Sequence, residues 1–212
     1  ILNPSTIKIT REIIIEGTNQ YELVNYKNSR IYAFEPIKGI TKKRKDVKII
    51  NKAIDLKNNQ IKTFNITRKT VTSSLLKQER SIIDKFVTFK DKKGKTHRKS
   101  DYDVVKKIKV KTTRLDYFIK KNNLSAIHYL KIDAEGNDLN VLKSAGKFLK
   151  IIWGFEIETW NEKTTLWKQQ LWLKPCEKFI KKHGFVVAKR FIHGKGRSTD
   201  LLCVKKELFN KK

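Results

Sequence analysis

In the stretch LKIDAEGNDLNVLKSAG, residues 130–146, three carboxylates (Asp133, Glu135 and Asp138) follow a short apolar run and precede a helix-like one. Acids at such a junction suit the positive end of a helix, and capping accounts for Asp138. It does not account for Asp133, which sits at the strand end before any cap. Carboxylates crowded between strand and helix repel one another unless a cation or a donor-rich ligand lies between them. Glu16, Glu35 and Glu158 also close apolar strand-like runs. Ligands of open parallel sheets bind outside the carboxyl ends of the strands, so these acids would line one edge of one sheet.

Alternating strand-like and helix-like segments predict an α/β layer structure with a mainly parallel sheet, in a single domain over residues 1–212. Strands are expected at 12–17, 30–36 and 47–54, the first stopped by Gly17 and the second by Pro36, with a short helix in NQYELVNYKN between them. Residues 60–66, 86–99 and 104–113 then show period-two patterning with turn residues such as Lys93-Gly94, which predicts an antiparallel excursion around 60–112. The alternation resumes with a helix in RLDYFIKKNN, a strand at 126–133, a helix at 137–149 and a strand at 151–158. A helix over about 162–182 and a closing strand pair, 184–191 and 199–205, complete the pattern.

The junction LKIDAEGNDLNVLKSAG is similar to the K-I-D-x-E-G-x-E-x-x-V-L-x-G-A motif of the FkbM family of S-adenosylmethionine-dependent methyltransferases. IYAFEP at 31–36 resembles that family's second-strand motif, and TTRLDYFI at 112–119 its T-x-L-D-x-F segment. VKIINKAI, ending near Ala53, and SSLL at 73–76 fall where the family has a third strand and a Ser-rich loop, so the likeness covers about 30 to 205. It implies a Rossmann-like methyltransferase sheet of seven strands with the last antiparallel, and S-adenosylmethionine as cofactor. Glu35, with Pro36 beside it, would accept both ribose hydroxyls. Ala53 would also belong to the cofactor site. Asp133 would lie near the methyl group and orient or deprotonate a substrate hydroxyl; Glu135 would share that task or hold its own loop. The family's first motif, D-x-G-A-N-x-G, is matched by IEGTNQY only in Gly17 and Asn19: Ile15 replaces the acid, Tyr21 replaces the second Gly, and Glu16 stands in for the acid if the register slips by one. Two alternatives to an O-methyltransferase of sugars or glycan-like acceptors follow: a nucleic-acid methyltransferase, and a non-catalytic binding module that has lost the cofactor turn.

Composition narrows the field. The formal charge of +28 invites a nucleic-acid partner, yet only nine of the 49 basic residues are Arg, the residue with the phosphate-matching fork, and Lys, Ile and Asn dominate together as drift of composition would produce. No apolar run is long enough to span a bilayer and the start lacks a secretion signal, so a cytoplasmic protein without a membrane partner is expected. Cys176 and Cys203 lie far apart, and His97, His128, His183 and His193 form no ligand-spaced cluster, so buried free thiols and no metal site are expected. Trp153, Trp160, Trp167 and Trp172 read as core aromatics, with Trp160 placed to reach a ligand from the loop after the fifth strand. Lacking any Met, the chain reads as a fragment or processed product; oligomeric state stays open.

Overall fold

The computed structural model of the protein describes residues 11–16, 29–39, 45–85, 89–90, 96–193 and 196–209. Its main sheet is built on β1 (Arg11–Glu16), whose Ile13, Ile14 and Ile15 are all buried. A continuous apolar run of this kind is what a strand covered on both faces needs. Ile14 joins the large core cluster, while Ile13 and Ile15 pack on the other face with Ile31. Parallel neighbours are β2 (Ser29–Phe34) and then β3 (Val47–Ile50) on one side. Parallel strands on the other are β9 (Tyr129–Ile132) and β10 (Gly154–Trp160). The sheet closes with β12 (Ser198–Lys205), antiparallel to both β10 and β11 (Phe185–His193), giving the order β11-β12-β10-β9-β1-β2-β3.

The excursion is a second sheet of β4 (Ala53–Ile54), β8 (Val104–Thr113) and β5 (Ile61–Thr67), with β5 antiparallel to β8. Between β5 and β8 lie the single-turn helix α1 (Arg80–Ile83) and the short antiparallel pair β6 (Phe89–Lys90) and β7 (Thr96–His97). Helices α2 (Leu115–Lys121), α3 (Asp138–Lys143) and α4 (Leu173–Lys182) contribute Leu115, Ile119, Leu139, Leu142 and Ile180 to the large core; α5 (Lys206–Phe209) ends the described chain.

Three expected elements are divided. The run 47–54 splits into β3 and β4, because Lys52 N–H turns back to the Ile50 carbonyl (2.8 Å) and Ala53–Ile54 pairs with Thr112–Thr113 of β8. The helix expected at 137–149 stops at Lys143; Gly146 takes a left-handed φ of +51° and a 3-10 turn, Gly146–Ile151, follows. The helix expected over 162–182 starts only at Leu173, because Pro175 lacks an N–H and is tolerated only in a first turn. Ahead of it, within a run of bends and turns, Trp167 bridges Gln78: Glu79 N–H donates to Leu166 O and Lys168 N–H to Lys77 O, both at 2.8 Å. NQYELVNYKN and the Lys93-Gly94 turn lie outside the described residues.

Candidate active site

β1 stands at the point where the order of the main sheet reverses, with β2 and β9 on either side of it. That reversal opens a crevice at the carboxyl ends of the strands. A cleft open to solvent lies there; Glu35 and Pro36 line it from the end of β2, Asp133, Ala134, Glu135 and Asn137 from the β9–α3 turn. β5 and the segment that follows it supply the remaining wall through Phe64, Val71, Ser73 and Leu75.

Glu35 is 1% exposed. Its Oε1 accepts the N–H of Ile37 at 2.8 Å, and its main chain is clamped by Glu35 N–H to Ile50 O (3.0 Å) and by Asn51 Nδ2 to Glu35 O (2.9 Å). Oε2 is buried without a hydrogen-bond partner among the described residues. Burial pushes the carboxyl up to about 7, against the pull of the Ile37 amide. A buried acceptor left open beside a cleft is costly to the empty protein, and a ligand that brings two donors would remove that cost.

The β9–α3 turn is braced differently. Glu135 holds a left-handed φ of +48° and Gly136 one of +93°. The Asp138 carboxylate accepts Ala134 N–H (3.0 Å) through one oxygen and Gly136 N–H (2.9 Å) through the other. Asp138 thus ties the preceding turn together; the N-cap position is Asn137, whose side chain makes no capping bond. Burial outweighs those two amides and lifts the Asp138 carboxyl to about 7. From the segment after β5, Ser74 Oγ donates to Glu135 O at 2.7 Å, while Asn137 Nδ2 reaches across to Ile54 O of β4 at 3.2 Å.

Beyond the turn the acids continue. Glu135 and Glu158 are half-buried, and burial, together with the charges of Asp133 and Asp138 and, for Glu135, the charge of Glu158, holds both carboxyls well above the ordinary range. Asp200 on β12 adds its field to Glu158 and is itself raised by burial, an effect opposed by the hydrogen bond from His193. No group of three or more His, Cys, Asp or Glu among the described residues is arranged to hold a metal ion.

Of the residues singled out from sequence, Glu35, Pro36, Asp133 and Glu135 meet at this cleft. Ala53 does not line it; it packs behind the wall with Phe64 and Val110. Glu16 ends β1, whereas Gly17 and Asn19 lie outside the described residues. Phe64, Val71 and Leu75 were not foreseen, though SSLL marked the segment carrying Ser73, Ser74 and Leu75. Trp160 is buried with Leu166 and Trp167 rather than open to the cleft.

A model of the methyltransferase FkbM domain matches residues 17–187. The chain belongs to the FkbM methyltransferase family. Searches of curated proteins and of solved structures returned no match. The seven-stranded sheet with its antiparallel β12, and the small second sheet, give this FkbM protein a Rossmann-like methyltransferase fold. The matched stretch spans every residue lining the cleft. No helix among the described residues is long and apolar enough to cross a membrane.

Proposed function

We propose that the protein is an S-adenosylmethionine-dependent O-methyltransferase whose acceptor is a hydroxyl of a sugar or glycan-like molecule. The observation that carries the cofactor is the open Oε2 of Glu35, buried at the rim of the cleft and matched to the paired hydroxyls of a ribose. Glu35 and Pro36 would hold the nucleoside. The cofactor supplies an electrophilic methyl group on sulfur. Asp133 and Glu135 face the same cleft and would orient the acceptor hydroxyl or take its proton, the sugar class resting on family membership and on the many acceptor oxygens these acids offer to hydroxyl donors. Methyl transfer demands in-line approach, so holding the acceptor still contributes as much as removing its proton.

Nucleic acid is the less favoured acceptor. Lys106, Lys107, Lys109 and Lys111 are exposed on β8 and do not line the cleft, whose described lining residues offer a phosphate carboxyl groups and no cation. The cytoplasm is the proposed location, in keeping with two free, buried thiols at Cys176 and Cys203.

Calorimetric titration with S-adenosylmethionine tests the reading. Binding that weakens in Glu35→Ala is expected, with Asp133→Ala slowing turnover more than it weakens binding; no heat at millimolar cofactor would rule the enzyme out.

A further inference from the structure

The two faces of the second sheet are unlike. Phe64, Ile66, Ile108 and Val110 pack together on one, and from there Phe64 lines the cleft. Side chains alternate along a strand, so Lys107, Lys109 and Lys111 of β8 project from the other face in a row, about 7 Å from one to the next. All three are exposed, and none pairs with an acid; Lys109 Nζ donates to Thr63 Oγ1 at 3.1 Å. The antiparallel register sets Asn65, Thr63 and Ile61 of β5 opposite them, so the neighbouring strand brings no negative charge to this face. An aliphatic side chain stands at each end of the row: Val105, two residues before Lys107, and Ile61, opposite Lys111. At 56% and 63% exposure these are the most exposed large apolar side chains among the described residues.

In water alone both halves of this pattern are costly. Like charges at successive positions on one face repel one another, and wet aliphatic groups raise the free energy. Lysines can guard a strand edge against pairing with another chain, but exposing Ile61 and Val105 beside them works against that purpose. A nucleic acid would answer the charge and nothing else, because this face has no Arg fork for phosphate and no aromatic ring for a base. An anionic lipid surface answers both: its headgroup phosphates and carboxylates meet the ammonium groups while aliphatic side chains sink between the headgroups.

We propose that the lysine face of the second sheet docks the protein onto an anionic phospholipid surface, with Lys107, Lys109 and Lys111 on the headgroups and Ile61 and Val105 inserted at either end. A contact of this kind needs no spanning segment, so the lack of a membrane-crossing helix among the described residues does not bear on it. The cleft lies on the other side of the same strands, and docking leaves it open. Docking also does not depend on the methyl-transfer chemistry.

Sedimentation of the full chain with lipid vesicles tests the proposal. Phosphatidylcholine vesicles carrying about one-third phosphatidylserine are expected to bind the protein, and pure phosphatidylcholine at least about tenfold more weakly. Changing Lys107→Gln, Lys109→Gln and Lys111→Gln together should lower the partition coefficient about a hundredfold, at about fivefold per lysine. A charge-matched control, Lys178→Gln with Lys181→Gln and Lys182→Gln on the exposed side of α4, should stay within about threefold of wild type, which separates a docking face from the net charge of +28. Ile61→Ser with Val105→Ser should weaken binding about fivefold, a share that persists at high salt while the lysine share fades. Replacing the same three lysines of β8 by Arg keeps the charge and should keep binding within about threefold. Equal losses in the two Gln triples overturn the proposal, as do loss of binding in the Arg variant and a wild type that stays in the supernatant with both vesicles. A single-stranded RNA that binds more tightly than the vesicles, and is released by the Gln triple on β8, assigns the face to nucleic acid and overturns the lipid partner.

Discussion

Asp138 at the head of α3 and Glu35 at the end of β2 are both buried carboxyls lifted to about 7, yet their surroundings differ. Asp138 gives both oxygens to amides of its own turn, whereas Glu35 gives one to Ile37 and leaves the other open. The turn around Asp138 is satisfied by the protein, with Ser74 and Trp167 bracing it from two other parts of the chain. The end of β2 is satisfied only when something enters the cleft. A rigid turn to aim acids and an unsatisfied oxygen to attract a ligand are the two requirements of a site that must bind before it reacts.

The sharpest way to break the self-satisfied side is Gly136→Ala. With φ at +93° and the Trp167 indole 2.5 Å from the new Cβ, the variant is expected to lose about 3 kcal/mol. The melting temperature should fall by about 6–12 °C in a circular-dichroism scan. Asp138→Ala leaves two amide N–H groups without their acceptor and should cost about 2 kcal/mol by urea unfolding. A loss no greater than that of a surface substitution would mean that the turn stands without its clamp.

On the ligand-satisfied side the effects are smaller and depend on pH. Between about 4.5 and about 7 the folded protein keeps on Glu35 a proton that the unfolded chain has released, so the stabilisation is complete below the lower value and is lost as pH rises through the upper one. Melting temperature should therefore decline across that window, by the equivalent of about 1–3 kcal/mol, and level off above it. Asp138 shifts in the same sense, so Glu35→Gln should flatten only part of the slope. The same variant should weaken S-adenosylmethionine binding about tenfold by calorimetry while raising the ligand-free melting point at pH 8 by about 2–4 °C, since it replaces a buried charge with a neutral amide. Tighter binding in Glu35→Gln would erase the contrast between the two carboxyls.

Much of this arrangement was legible in the chain. Alternation of apolar runs with acids at their ends gave the strands and placed Glu35 and Asp133 on one rim, because strand direction in a parallel sheet fixes which end faces the ligand. The divided elements were less legible. Nothing in VKIINKAI shows that Ile50 and Ala53 enter different sheets, since β4 exists only by pairing with β8, more than fifty residues on. Pro175 did carry a local signal that the helix could not begin at 162, and its weight is clear once Leu166–Lys168 is seen paired with 77–79. Asp138 reads as a cap in sequence because helix N-termini favour acids; its actual partners are decided by the left-handed Glu135 and Gly136, which fold the turn back over it.

By itself, the sequence determined the layers, the direction of the strands and the family, since these follow from periodicity and from short motifs whose residues are neighbours along the chain. Tertiary structure alone decided which side chains meet across distance: Ser74 on the carbonyl of Glu135, Trp167 on Gly136, and β5 with the segment after it as a wall of the cleft. The physical reason is that local backbone preference acts over a few residues, whereas burial is satisfied by any apolar surface that packing brings near. Glu35 shows both: its place at a strand end is written in AFEP, and its open oxygen exists only because the folded chain excludes water from it.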